Sequence, residues 1–294
     1  MRPSRVSVIL STYNQPRWLE KALWGYAAQR FDAFEVVIAD DGSGPETAAV
    51  IERARARAAH PIAHVWHEDR GFRKTEILNR AILAASGDYL VFSDGDCVPH
   101  PGFVATHARL ARARRFLSGG YLKLPMTLSE RITEDDVRSG RAFDAAWLRA
   151  HGWRGGRRAV RLPGSRLLAG LLDALTPTRA TWNGHNASTW RSAILAVNGF
   201  DLDMGYGGED RALGERLVNL GFRGRRVRFR APCLHLDHPR PYADPAVIRA
   251  NRLVRDRIRR AREVRARAGL SELGAPGEAP GAAAAEPAPL TPSP

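Results

Sequence analysis

Only two of the 294 residues are cysteine, Cys97 and Cys233, which excludes a disulfide framework and points to a reducing, cytoplasmic setting. No apolar run approaches the ~18 residues of a membrane span. The first short run, Val6–Leu10, is shorter than a signal-peptide core, and no A-x-A-like site follows it, so no secretory signal is expected. Lysine is scarce as well. Of 45 basic residues, only Lys21, Lys74 and Lys123 are lysine, and the other 42 are arginine. The net charge of +14 suits an anionic partner, yet such uniform arginine enrichment beside abundant alanine also reads as a coding bias. Apolar residues, at 44%, suffice for a sizeable core and exclude a wholly disordered chain.

The first hundred residues alternate strand and helix. Val6–Leu10 is followed by a helical stretch that Pro16 opens and that runs through Gln29. Phe34–Ala39 is a second strand, stopped by Asp40-Asp41-Gly42. Ser43 and Glu46 have the spacing of a capping box, which predicts a helix to about Ala59 with Ser43 as its cap. Ile62–Trp66 is a third strand. Ile77, Leu78, Ala81, Ile82 and Ala85 recur at helical period, and Tyr89–Phe92 is a fourth strand. This is the pattern of an α/β protein with a mostly parallel sheet flanked by helices. In such sheets ligands sit beyond the carboxyl ends of the strands. Thr12-Tyr13-Asn14, Asp40-Asp41 and Asp94-Gly95-Asp96 therefore converge on one edge.

Further along, Phe116–Lys123 reads as one strand, Ile132–Leu148 and Arg166–Leu175 as helices, and Val227–Phe229 as strand-like. Pro245–Ala268 is one long polar helix with nine arginines opposed by Asp256 and Glu263. The segment 274–294, mostly Ala, Pro and Gly, is expected to be disordered.

Four groups can carry chemistry. Asp94 and Asp96, flanking a glycine at a strand end, can hold a hard divalent cation with room for phosphates. Asp40-Asp41 can accept hydrogen bonds from a base or a ribose. Glu209 and Asp210 follow the turn Gly205-Tyr206-Gly207-Gly208 and open a helix, where they either complement its dipole or serve as a base and its neighbour facing a sugar. His235 and His238 lie near Cys233 and can coordinate metal. A zinc site of Cys97, Cys233, His235 and His238 is conceivable but lacks the paired spacing of zinc modules.

The sequence resembles the family-2 inverting glycosyltransferases with the GT-A fold, a Rossmann-like architecture, and more narrowly bacterial members that build lipopolysaccharide or other surface glycans. The resemblance rests on Val6-Ser7-Val8-Ile9-Leu10-Ser11-Thr12-Tyr13-Asn14, Val36-Val37-Ile38-Ala39-Asp40-Asp41-Gly42-Ser43, Gly71-Phe72-Arg73-Lys74 to Asn79, and Gly87 to Asp96. Gly184-His185-Asn186, Asn198-Gly199-Phe200-Asp201 and the Gly-Tyr-Gly-Gly-Glu-Asp run resemble the acceptor half of chondroitin-polymerase-type and β-1,4-galactosyltransferase-type enzymes. The implied organisation is a transferase domain over 1–240, with a nucleotide half at 1–100 and an acceptor half at 101–240, then the basic helix 245–268. Tyr206 stands where relatives often have Trp, and the stretch 132–180 matches nothing well.

The resemblance implies a nucleotide-sugar donor, with Thr12 and Tyr13 lining its pocket and Asp41 on the base. Arg73 or Lys74 would pair with the diphosphate. Asp96 would bind Mn2+ or Mg2+, and Asp94 would touch the ribose or metal-bound water. His235 or His238 would complete the metal shell, His235 being favoured. Asp210 would be the general base and Glu209 would hold the acceptor, with Asn186 and Tyr206 also on the substrate. The acceptor would be a glycan or a lipid-linked molecule. The basic helix then becomes a candidate for peripheral contact with an anionic membrane surface on its inner face, unless its apolar residues pack on the catalytic domain. A sugar nucleotidyltransferase would need a Gly-rich loop after Val6–Leu10 that is missing. Nucleic acid is not expected as a partner, because acidic strand ends would repel phosphate without a metal.

Overall fold

The run that begins at Val6 is buried along its whole length and extends into β1 (Val6–Thr12), as expected for a strand covered on both faces. The structure, a computed structural model, describes residues 2–162, 164–239 and 244–274. After β1 the chain alternates through α1 (Pro16–Ala27), β2 (Phe34–Asp40), α2 (Pro45–Arg57), β3 (Ile62–Trp66), α3 (Lys74–Ala84) and β4 (Tyr89–Asp94). There follow β5 (Cys97–Pro99), α4 (Phe103–Leu110), β6 (Arg115–Ser118) and β7 (Gly120–Lys123). Four short helices come next: α5 (Met126–Arg131), α6 (Glu134–Arg138), α7 (Ala145–Ala150) and α8 (Arg166–Leu175). The chain closes with β8 (Ala187–Trp190), α9 (Arg191–Ala196), α10 (Glu209–Asn219), β9 (Arg223–Arg226), β10 (Pro232–His235) and α11 (Pro245–Ala261).

Seven strands form one sheet in the order β3-β2-β1-β4-β8-β6-β9. β3, β2, β1 and β4 are mutually parallel, while β8 runs antiparallel to β4 and β6. Strand periodicity divides the core between the two faces. Val6, Val8, Leu10, Val36 and Ile38 pack with Leu19, Leu23, Val50 and Ile51 of α1 and α2. Ile9, Val37 and Phe92 pack with Ile77 and Leu78 of α3 and Leu213 and Leu217 of α10. β5, β10 and β7 make a second, smaller sheet.

Several local expectations are corrected. Ser43 does not cap α2: the N-cap is Gly44, and no side chain caps this helix. Ser43 Oγ instead accepts from Asn14 N at 2.8 Å. The strand read over 116–123 breaks at Gly119 and its halves enter different sheets. A Cβ at Gly119 would lie 2.1 Å from Asn186 Oδ1, so glycine is required where the chain changes sheets. The helix read over 132–148 is interrupted by the Thr133–Asp136 capping box and by Gly140 at φ +84°. Val227–Phe229 is the connection between β9 and β10 rather than a strand. The C-terminal helix ends at Ala261, because Arg262 adopts φ +52°. The chain then returns to donate from Ala266 N to Val197 O at 2.9 Å. Apart from Gly274, the tail expected to be disordered lies outside the described residues.

The Asn198-Gly199-Phe200-Asp201 motif is a buried joint. Asn79 of α3 donates to Phe200 O and accepts from Phe200 N, both at 2.8 Å. Asp201 accepts from the fully buried Arg216 at 2.5 Å. Asp201→Ala would leave that guanidinium buried without its counter-charge, at a cost of about 3–5 kcal/mol. Urea denaturation is expected to show this loss, and Asp201→Asn, which keeps an acceptor, to lose less.

Candidate active site

The carboxyl ends of β1, β2 and β4 form one edge because Thr12 pairs with Asp40 and Ser11 with Asp94 in parallel register. Asp40 is wholly buried and committed there: it accepts from Ser43 N and contacts His64 Nε2, both at 2.9 Å. Asp41 faces the edge, oriented by His67 Nε2 at 2.8 Å and Arg73 N at 3.1 Å. Tyr13 is exposed on the same edge and donates to Asp69 at 2.9 Å. Gly42, at φ +92°, lets the chain pass Asp69, whose Cα lies 2.6 Å from where a Cβ would stand. The buried Thr12 hydroxyl has no hydrogen-bond partner among the described residues.

Arg73 and Lys74 both sit at the start of α3, but differently. Arg73 is held by Glu76 through Nε at 2.9 Å. Lys74 reaches inward and donates to Asp94 Oδ1 at 2.9 Å, an oxygen that also accepts from Ser11 Oγ at 2.8 Å. Burial opposes the charge on Lys74, yet Asp94, Asp210 and Glu209 outweigh it and hold the ammonium well above its ordinary pKa. Burial likewise opposes the Asp94 carboxylate, but Lys74 and His185 hold its pKa below the usual range.

Asp96 joins the second sheet. β10 lies antiparallel to β5, with His235 opposite Cys97, and Leu236 N donates to Asp96 O at 2.9 Å. Asp96 Oδ2 is 2.6 Å from His238 Nε2 and 3.4 Å from His235 Nε2. Both histidines therefore reach the same carboxylate. Their ligand atoms and that of Asp96 lie within 4.8 Å of one another. One carboxylate and two imidazoles fit a divalent cation that accepts nitrogen and oxygen. Asp94, Asp96 and Cys97 form a second such group, although Asp94 is already occupied by Lys74. The four-ligand Cys97, Cys233, His235, His238 zinc site does not form among the described residues: Cys233 Sγ points to Gly120 O at 3.4 Å.

Glu209 and Asp210 open α10 after Gly207 and Gly208, at φ +99° and +116°. Glu209 is buried and accepts from Gly207 N at 2.8 Å, closing the turn. Asp210 has Gly184 against its carboxylate, where a Cβ would lie 2.7 Å from Oδ2. Its Oδ1 is buried with no hydrogen-bond partner among the described residues. Burial and Glu209, with a smaller push from Asp94, outweigh the attraction of Lys74 and raise the Asp210 pKa to about 7. Tyr206 meets Phe72 edge to face at 5.8 Å.

α11 braces this turn. Asn251 donates to the carbonyls of Gly205, Tyr206 and Gly207 at 2.9–3.3 Å, and Ile258 is buried with Met204 and Ala212. Arg255 pairs with Glu215 of α10 at 2.7 Å. Val254 packs with Ile258, and Val247 and Ile248 stand against Gly205 and Gly207, so most of the apolar side of the basic helix faces the catalytic core, while Leu253 is 71% exposed.

Residues 7–122 match the family described as Glycosyl transferase family 2. This segment is a family 2 glycosyltransferase domain. Residues 179–239 match a second family, described as the N-terminal domain of galactosyltransferase. Validoxylamine A glucosyltransferase of Streptomyces hygroscopicus subsp. jinggangensis is 32% identical over 228 residues, covering 72% of this chain and 51% of the relative. The chain thus spans about half the length of the curated relatives it matches. The mannosyltransferase PcManGT from Pyrobaculum calidifontis, in complex with GDP-Man and Mn2+, superposes with a TM-score of 0.59 at 23% identity, over 90% of this chain and 66% of that one. S. aureus TarS 1–349 in complex with UDP-GlcNAc gives a TM-score of 0.58 at 15% identity, over 91% and 68%. These two likenesses show the fold, which is GT-A.

Within the family 2 fold, one residue assigned to substrate is corrected. Asn186 is fully buried, its Nδ2 donating to Gly120 O and Ala231 O at 2.9 and 2.8 Å and its Oδ1 facing His107. It ties β8 to the second sheet and does not reach the cleft. Its neighbour His185, to which the sequence assigned no role, stands edge to face on Tyr121 at 4.8 Å. Burial lowers the His185 pKa to about 4 against the attraction of Asp94. A histidine flanked by Gly184 and Asn186 carries no periodicity, so only the register of β8 exposes its position.

The raised Asp210 pKa has a stability consequence. The folded protein binds this proton more tightly than the unfolded chain, so its contribution is full below about pH 4 and lost as pH rises through about 7. Asp210→Asn removes that titration. Paired thermal melts are expected to show a higher Tm than the parent at pH 8 and little difference at pH 4.

Proposed function

We propose that this chain transfers a sugar from a nucleotide-sugar, a UDP-sugar in the first instance, to a hydroxyl of a glycan or lipid-linked acceptor with inversion at the anomeric carbon. The observation that carries the reading is Asp210, a carboxylate raised to about 7 beside the acid-rich strand edge, where a donor would lie. The glucosyltransferase relative and the nucleotide-sugar complexes of the structural neighbours support it.

In this reading residues 1–100 hold the donor and 101–240 the acceptor. Thr12 and Tyr13 line the nucleotide pocket, and Asp41, fixed by His67 and Arg73, accepts from a base N–H. Asp94 takes the ribose while Lys74, with Arg73 nearby, faces the diphosphate. Asp96, His235 and His238 would hold the cation; their nitrogen ligands suit Mn2+ better than Mg2+, which prefers oxygen ligands and retained waters. When bound, it supplies positive charge to the departing diphosphate. Tyr206 and Phe72 give an acceptor sugar an aromatic wall, and Glu209 positions it at the helix N-terminus. Asp210 takes the proton of the acceptor hydroxyl, whose oxygen bonds to the anomeric carbon as the sugar–phosphate bond breaks on the opposite face. A base with a pKa near 7 matches neutral operation. The lipid-linked acceptor would place the protein at the cytoplasmic face of a membrane, a surface glycan such as lipopolysaccharide being the product class.

Two outcomes check this. Asp210→Asn is expected to lower turnover by about 10²–10⁴ while donor binding persists; the parent rate should fall below about pH 7 as Asp210 is protonated. Nucleotide release from UDP-sugars should stop with chelator and return with Mn2+ in the parent but not in Asp96→Ala. Undiminished turnover by the chelated enzyme would rule out the cation site.

A further inference from the structure

A cleft of about 550 Å3 opens along β6, β7 and β9, reaching Asn183 and His185 on either side of Gly184, which rests against the Asp210 carboxylate. Lys123, Arg161, Arg179, Arg211, Arg226 and Arg228 line it, and no acidic residue does so among the described residues. Among them, Arg211 stands one residue past the proposed base on α10.

Most of the wall comes from residues 118–123 and 181–185 and from the β9 region, and the chain on either side of α8 completes it. Arg161 precedes the helix; Thr178 and Arg179 follow it. Arg226 donates to Asp173 O at 3.0 Å and to the Ala174 and Thr178 carbonyls. Arg230 holds the buried Asp173 at 2.6 Å. Ala169 and Asp173 are thus the inner face of α8. The outer face is leucine: Leu167, Leu168, Leu171 and Leu175 are 87%, 53%, 55% and 68% exposed. At 3.6 residues per turn these four fall within an arc of roughly 100°. Val160, at 50% exposure, adds to the same region of chain. An apolar stripe of this kind, beside a strongly basic hollow, combines the two features that anionic membrane surfaces bind.

We propose that α8 docks this protein on an anionic bilayer, its leucine stripe entering the headgroup boundary and the basic cleft taking the phosphate of a lipid from that bilayer. Resting on the transferase reading, this makes the acceptor a phosphate-bearing lipid whose hydroxyl is presented to Asp210. It also moves the membrane contact from the arginine-rich α11 to the apolar α8. α11 has charge, but Leu253 is its one large apolar residue that is exposed, the others facing α10 and the glycine turn before it; α8 has both an exposed apolar face and adjoining cations.

The test is flotation of the full chain with vesicles of phosphatidylcholine alone or mixed with phosphatidylglycerol, at low and raised salt. The parent is expected to float with the anionic vesicles only and to be released by salt. The double variant Leu171→Glu, Leu175→Glu should lose about tenfold or more in apparent affinity while releasing nucleotide from donor in vesicle-free buffer at the parent rate. Arg179→Glu with Arg228→Glu should abolish the preference for phosphatidylglycerol. Three results would overturn the proposal: no flotation of the parent at low salt, undiminished flotation of the leucine variant, or a parent dimer in sedimentation that Leu171→Glu dissociates, which would assign the stripe to a second copy. Binding of glycerol phosphate in solution without flotation would overturn it too, by assigning the cleft to a free phosphate. Nucleotide release is read separately, so its absence beside intact flotation would count against the transferase and not against the docking face.

Discussion

One ammonium among several carboxylates governs this site. Asp94, Glu209 and Asp210 all act on Lys74, and only Asp94 receives its hydrogen bond. That choice separates the acids. Asp94 stays ionised because a cation touches it, whereas Asp210, burdened by Glu209 and burial, retains its proton to about neutrality. Chemically identical groups in one cleft thereby hold their protons over different pH ranges, which is what a fixed charge beside a general base would need.

Keeping Asp210 in place takes support from distant parts of the chain. Its helix starts from two glycines in left-handed conformation, a turn with little stiffness of its own. Asn251 ties three consecutive carbonyls of that turn to α11, and the Arg216–Asp201 pair anchors the same helix from beneath. α3, which carries Lys74, is fixed to this block through Asn79 and Phe200. The ammonium and the carboxylates therefore share one rigid mounting, as preorganised electrostatics requires.

Much of this was legible in the sequence. Apolar runs ending in Asp40-Asp41 and Asp94-Gly95-Asp96 announced both the parallel strands and the edge where acids collect, because buried parallel strands carry an unbroken apolar signal. The family resemblance set Asp96 with either His235 or His238, the former favoured; both imidazoles lie against its carboxylate, His238 the nearer. Less legible were features set by long-range packing. Ser43 had the spacing of a cap, but Asn14 claimed its hydroxyl. Asn186 sat in a motif that suggested substrate, yet its place in the core is fixed by Gly119, Gly120 and Ala231, none of them near it in sequence. The apolar residues of α11 looked equally suited to lipid or to protein, and only the packing shows that all but Leu253 face α10 and the glycine turn before it. In α8 the leucines were read only as helical period, since nothing local tells which face a neighbour will leave open.

The small β5–β10–β7 sheet has a consequence for biosynthesis. Asp96 and His238 are 142 residues apart, so the carboxylate leaves the ribosome long before its imidazoles. At ~5–20 residues per second that interval is on the order of ten seconds. Throughout it the strands β1 to β4 can pair, with His64 and His67 on Asp40 and Asp41 and Lys74 on Asp94, but Asp96 has neither His235 nor His238. β10 must then enter between β5 and β7, a late, non-local step of the kind that slows folding. Asp96 therefore meets both imidazoles only when the last strand among the described residues is inserted, and a nascent amino-terminal half emerges without that grouping.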